Sequence, residues 1–148
     1  MVTDRQNQLK ITEDKMFHFR KGIPGFEQYT EFVIIQHDEH FSLLQSVENE
    51  DVAFIIVDPF QFFSDYEFEL SSTDLEELHI QDESEVAVRS IVTWGNEQSK
   101  ITANLLAPLV FNVRNRTGKQ VVLNIKGYAT KHSLQKIAEV RNGGDGQC

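Results

Sequence analysis

Between Lys21 and Arg89 the chain has no lysine and no arginine, although residues 22–88 hold 17 of the 23 acidic residues in the 148-residue sequence. The flanks carry all 14 basic residues and bring the net charge to −9. An acidic field of this kind repels a phosphate backbone and attracts basic protein surface. A solvated face that maintains solubility is the plainer alternative, because charges segregated along a sequence need not be segregated in space. Cysteine is nearly absent: Cys148 in a Gly-rich tail is the only one, which excludes an intrachain disulfide, a cysteine zinc site and a Cys-x-x-Cys redox unit. No apolar run approaches the roughly 18 residues of a membrane span. The polar stretch Met1–Lys15 lacks the apolar core of a signal peptide. A reducing, cytoplasmic setting with no membrane partner is the expectation.

What is present is alternation. In Ile101–Ile125, Ile101, Ala103, Leu105, Ala107, Leu109, Phe111 and Val113 share one parity, which predicts a half-buried strand. Asn115–Gly118 reads as a turn and Val121, Leu123 and Ile125 as the returning strand, giving a long hairpin with one apolar face. Pro108 has no ladder donor and marks a bulge, a bend or an edge. Other elements must cover this ribbon, since an isolated hairpin is marginal.

The rest of the chain supplies candidates. Phe17 and Phe19 face inward on a short strand, and Gly22-Ile23-Pro24-Gly25-Phe26-Glu27 must turn, with Gly22, Pro24 and Gly25 setting loop geometry and Phe26 anchoring it. Phe32–Gln36 and Phe41–Val47 pair around His37-Asp38-Glu39-His40, a charged turn rather than a metal site, and Val52–Val57 is a core strand. Phe60, Phe62 and Phe63 on a looser segment are core lids or an aromatic landing site for a partner. Tyr66, Phe68 and Leu70 alternate with Glu67 and Glu69, and Ser71 or Ser72 caps a brief helix over Thr73–Leu78. Asp65–Glu85, with nine acidic residues, is the expected acidic surface. Val86, Val88, Val92 and Trp94 share a parity on a second long strand that ends in a turn at Gly95 and Asn96, and Tyr128–Arg141 ends the fold as a strand edge or short helix. No catalytic constellation and no cofactor motif is identified, so a non-enzymatic role is expected. Arg114, Arg116, Lys119 and Lys126 near the hairpin leave open a single-stranded RNA-binding module, against ordinary solubility of a hairpin.

A set of short fragments adds a resemblance. Phe19 with Gly22–Glu27, Phe41 with Leu44-Gln45-Ser46, Asp58-Pro59 before Asp65-Tyr66, Thr102-Ala103-Asn104-Leu105 with Ala107-Pro108 and Asn112, and the closing Gln120, Leu123 and Tyr128 span most of residues 15–134. In that order and spacing they resemble the FliW family of bacterial flagellar assembly factors. The resemblance implies a mainly β, small single-domain antiparallel β-barrel-like fold with one or two short helices, here placed over residues 1–141, and the Gly-rich residues 142–148 read as a flexible tail. It also implies a cytoplasmic protein, a monomer when free, that binds flagellin and antagonises the translational regulator CsrA, coupling flagellin export to synthesis. A flagellin-binding chaperone without regulatory coupling and an adaptor that holds both proteins without changing RNA occupancy are the alternatives. Candidate partner-binding residues are Phe62, Asp65, Glu67, Glu69, Asn104 and Asn112; the two asparagines, off the apolar parity, contact a partner or satisfy backbone groups.

Overall fold

The computed structural model describes residues 2–3, 16–95 and 100–134. The strands follow where side chains alternate. β2 (Met16–His18), β3 (Glu31–Gln36), β4 (Phe41–Ser46) and β5 (Ala53–Val57) form an antiparallel meander with Phe17, Phe32, Ile34, Leu44 and Ile56 on one face, each at most 4% exposed. β7 (Val86–Trp94) joins β5, and β9 (Leu109–Asn112) and β10 (Thr117–Gln120) carry the sheet round from β7 back to β2. The result is a closed seven-stranded barrel. An odd ring of strands cannot alternate in direction all the way round, so one pair must be parallel. That pair is β10–β2, aligned at Thr117↔His18, and it modifies the expected wholly antiparallel arrangement.

Phe17, Phe19, Phe32 and Phe111 fill the barrel with edge-to-face contacts, their ring centroids 4.9–5.6 Å apart. A Cβ on Gly118 would lie 2.6 Å from the Phe19 ring, so β10 passes this aromatic stack only because that position has no side chain. The turn after β2 needs two left-handed residues, Gly22 (φ +66°) and Gly25 (φ +90°). Its anchor is Ile23, 2% exposed, rather than Phe26, which at 37% covers the Phe54 ring from outside.

Two further cores lie outside the barrel wall. The segment after β5 contains α1 (Pro59–Phe62), β6 (Phe68–Glu69) and α2 (Ser72–Glu77), and packs Phe60, Tyr66, Phe68, Leu70 and Leu78 on Val86, Val88 and Val110. α1 replaces the expected looser segment; Asp58 caps it by accepting from Phe60 N–H at 3.0 Å, and Pro59 occupies its first turn. Ser71 caps α2, accepting from Asp74 N–H at 3.1 Å. β6 pairs with β1 (Val2–Thr3). The other outer core joins Val57, Val92, Ala103 and Leu134 beneath Phe62 and Phe63, where β8 (Ile101–Ala103) and β11 (His132–Ser133) extend the sheet beyond β7.

The predicted long hairpin is where the fold departs from the alternation. β7 pairs with both halves of its first arm, but the registers Val92↔Ala103 and Arg89↔Leu109 leave two residues on β7 opposite five, Asn104–Pro108. Three extra residues therefore bulge out, as Pro108 requires, and break one strand into β8 and β9. β9 is buried on both faces because Val110 enters the outer core and Leu109 and Phe111 the barrel. The turn is Val113–Arg116, with Arg116 at φ +60°, so the ladder resumes at Thr117 rather than Val121. Val121 and Leu123 are still buried, in the outer core, held through Val121 N–H to Pro108 O at 2.9 Å and Leu123 N–H to Leu106 O at 2.8 Å. The readings of Asn96, 135–141 and the tail 142–148 lie outside the described residues.

Candidate functional site

The six candidate partner residues separate into three environments. Asp65, Glu67 and Glu69 are exposed on the segment that crosses the barrel wall, because Tyr66, Phe68 and Leu70 between them are buried. Tyr66 donates to Leu105 O at 2.8 Å, and Tyr128 Oη sits between the main-chain N–H and C=O of Glu67 at 3.2 and 3.1 Å. Burial pushes the Tyr66 phenol far up, so it stays a neutral donor. These bonds tie the acidic strand to the Asn104–Pro108 bulge. Asn104 closes that bulge by accepting from Ala107 N–H at 2.9 Å, a backbone role. Phe62 is half-buried, its ring 5.6 Å from His40, and belongs to the outer core as a lid.

Asn112 is a correction. It is fully buried; its amide donates to Leu78 O (2.8 Å) and His79 O (3.3 Å) and accepts from Arg114 N–H (3.0 Å) and Asn115 N–H (3.4 Å). No polar atom is left for a partner. The expected uniform acidic surface also divides. Lys119 reaches Asp74 at 2.6 Å and Glu77 at 2.7 Å, Lys21 reaches Glu77 at 2.8 Å, and Arg114 pairs with Glu85. The basic flanks thus fold back onto the C-terminal part of the acidic interval, while Asp65, Glu67 and Glu69 stay outward. The same pairs occupy Arg114 and Lys119, two of the four cations in the RNA-binding alternative.

Sequence reasoning missed the cleft these pairs create. It opens beside the parallel seam, about 170 Å³ in volume, and brings His18, Arg20, Lys21, Glu77, His79 and Lys119 together from three separated segments. Hydrogen bonds from Lys119 and then Lys21 hold the Glu77 carboxyl at about 2, below its ordinary 4.5. A depressed carboxylate adds stability above its unfolded pKa and loses it as pH falls toward the folded one. Urea midpoints are therefore expected to drop between pH 4.5 and 2, and to drop less steeply in Glu77→Gln; parallel pH profiles for the two proteins would refute the assignment. Among the described residues no His, Cys, Asp and Glu side chains group to hold a metal ion, and no helix is long and apolar enough to cross a membrane.

The family model described as FliW protein matches residues 1–134. The chain belongs to the FliW family. Flagellar assembly factor FliW of Alkaliphilus metalliredigens is 39% identical over 149 residues, spanning 96% of this chain and 92% of that one. Flagellar assembly factor FliW of Bacillus subtilis is 43% identical over 134 residues, spanning 89% and 94%. A solved structure, described as the crystal structure of the flagellar assembly factor FliW, superimposes with a TM-score of 0.78 at 42% identity, covering 84% of this chain and 89% of that chain. The seven-stranded barrel with two short helices is thus a FliW fold, and its membership supports a role in flagellar assembly.

Proposed function

We propose that this FliW-family protein binds flagellin in the cytoplasm and, when free of it, binds and antagonises the translational regulator CsrA. Flagellin held back from export would occupy the protein and leave CsrA free to repress; export would release the protein to relieve repression. The observation that carries this reading is membership in a family of flagellar assembly factors, joined to an outward acidic strand, Asp65, Glu67 and Glu69. An acidic strand suits the binding of a protein that itself attracts RNA. Coupling of this kind requires that bound flagellin lower the protein's affinity for CsrA, and by linkage bound CsrA then lowers that for flagellin by the same factor.

The test is calorimetric titration of the protein into purified CsrA, with and without preloaded flagellin, and with Asp65→Asn/Glu67→Gln/Glu69→Gln. The expected result is binding that flagellin abolishes and that the folded triple variant weakens most at low salt. Flagellin binding without CsrA binding would reduce the protein to a flagellin chaperone. Unchanged affinity and association rate in the triple variant would remove the acidic strand from the interface.

A further inference from the structure

Among the described residues, the outer face of β2–β5 is apolar and uncovered at one end. Met16 pairs with Val33 across β2–β3, and Ile35, Leu43 and Ile55 stand directly opposite one another across β3, β4 and β5. All five lie on the parity that points away from the barrel, since Phe17, Phe32, Ile34, Leu44 and Ile56 fill its interior. Leu43 and Ile55 are half-buried, Ile35 is 47% exposed and Met16 43%. Farther along, Ile55 packs against the outer core at its edge and the row continues into Val92 and Ala103, which Phe62, Phe63 and Leu134 cover. At the boundary the Phe41 and Trp94 rings meet at 5.5 Å, with Trp94 half-exposed. The covering ends there and the apolar row does not.

Apart from His37 and His40 of the β3–β4 turn, the latter 3.0 Å from Glu39, the charges around this face have one sign. The β3–β4 turn carries Asp38 and Glu39, and the β4–β5 turn Glu48, Glu50 and Asp51, all exposed. No lysine or arginine occurs on β3, β4, β5 or either turn; Lys100, beyond Trp94, is the first cation along that rim. Acidic ends repel nucleic acid and anionic lipid alike, whereas an apolar centre and acidic rim match a protein segment of the opposite design. We propose that the outer face of β3–β5 docks a basic amphipathic protein segment, its apolar side chains over Ile35, Leu43 and Ile55 and its cations at the two acidic turns. The face is separate from the strand bearing Asp65, Glu67 and Glu69, and the inference does not depend on the identity of flagellin or CsrA as partners.

Trp94 is the only tryptophan and reports on the boundary of this face. The probe is a synthetic leucine–lysine amphipathic peptide, with a leucine–glutamate peptide of the same apolar pattern as control. Calorimetry and Trp94 emission should show saturable binding of the lysine peptide, a blue shift and no response to the glutamate peptide. Ile35→Asp, at an exposed position that leaves the barrel interior intact, separates docking from mere charge attraction. It adds a negative charge, so attraction alone would keep or tighten binding, whereas docking predicts about tenfold weakening or more. Ile35→Ser gives the same comparison without added charge, and circular dichroism verifies both folds. Glu50→Gln/Asp51→Asn should weaken binding and flatten its salt dependence. Equal affinity for wild type and both Ile35 variants, or binding that leaves Trp94 emission unmoved, would overturn the proposal. Concentration-dependent dimers in sedimentation that shift Trp94 without peptide would overturn it in favour of a second copy as occupant.

Discussion

Asn112→Leu is expected to destabilise the protein by about 3 kcal/mol, because a buried backbone group left without a partner costs roughly 1–3 kcal/mol. Its side chain is 0% exposed, and both amide hydrogens and the carbonyl oxygen are engaged by backbone groups of Leu78, His79, Arg114 and Asn115. These bonds join three things that would otherwise be independent: the end of β9, the Val113–Arg116 turn and the chain leaving α2 at His79, held at φ +54°. Leucine keeps the branching of asparagine but is the bulkier side chain, so overpacking at this buried site adds to the effect. Leu78 O keeps Asn115 Nδ2 at 3.1 Å, whereas Arg114 N–H loses its partner. Asn112→Asp should not rescue, since its carboxylate would face the two carbonyl oxygens that now accept from the amide. Urea denaturation decides the matter: a loss of about 3 kcal/mol is a midpoint shift of roughly 1–2 M at typical m-values. A midpoint unchanged in Asn112→Leu would mean that these bonds contribute nothing net.

The second large effect is Gly118→Ala, expected to cost about 2 kcal/mol through overpacking. The new methyl would enter the Phe19 ring at 2.6 Å. That ring cannot tilt aside freely, because it is 0% exposed and meets Phe32 and Phe111 edge-on at 5.3 and 5.6 Å. Gly118→Val should be worse. Phe19→Leu alone should also destabilise by leaving a void, but combined with Gly118→Ala it removes the clash, so the double variant should be more stable than the sum of the single losses predicts. Additive losses would show that the glycine serves backbone freedom rather than space for the ring.

The candidate surface was legible where it depends on neighbours in sequence. Glu67 and Glu69 point outward because Tyr66, Phe68 and Leu70 must point inward, and period-two alternation states that without a structure. Asn112 was not legible in the same way. Its polarity on an alternating arm suits solvent, yet β9 has cores on both faces, and what makes burial tolerable is the N–H groups of Arg114 and Asn115 nearby together with the carbonyls of Leu78 and His79 more than 30 residues away. Lys119 likewise reads as hairpin solubility until Asp74 and Glu77 are brought to it from α2. The helix cap at Asp58-Pro59 was local information present in the sequence and passed over in favour of the aromatic cluster.

Strand composition, the glycine turn at Gly22–Gly25, the Ser71 cap and the bulge at Pro108 were determined by the sequence itself, since each rests on dihedral and side-chain preferences of residues within a few positions. Barrel closure, the parallel β10–β2 seam, the double burial of β9 and the pairing of basic flanks with the acidic interval were decided only by tertiary structure. They join residues far apart in the chain, and which distant partners meet depends on how seven strands close a ring, a global condition to which no short window of sequence is sensitive.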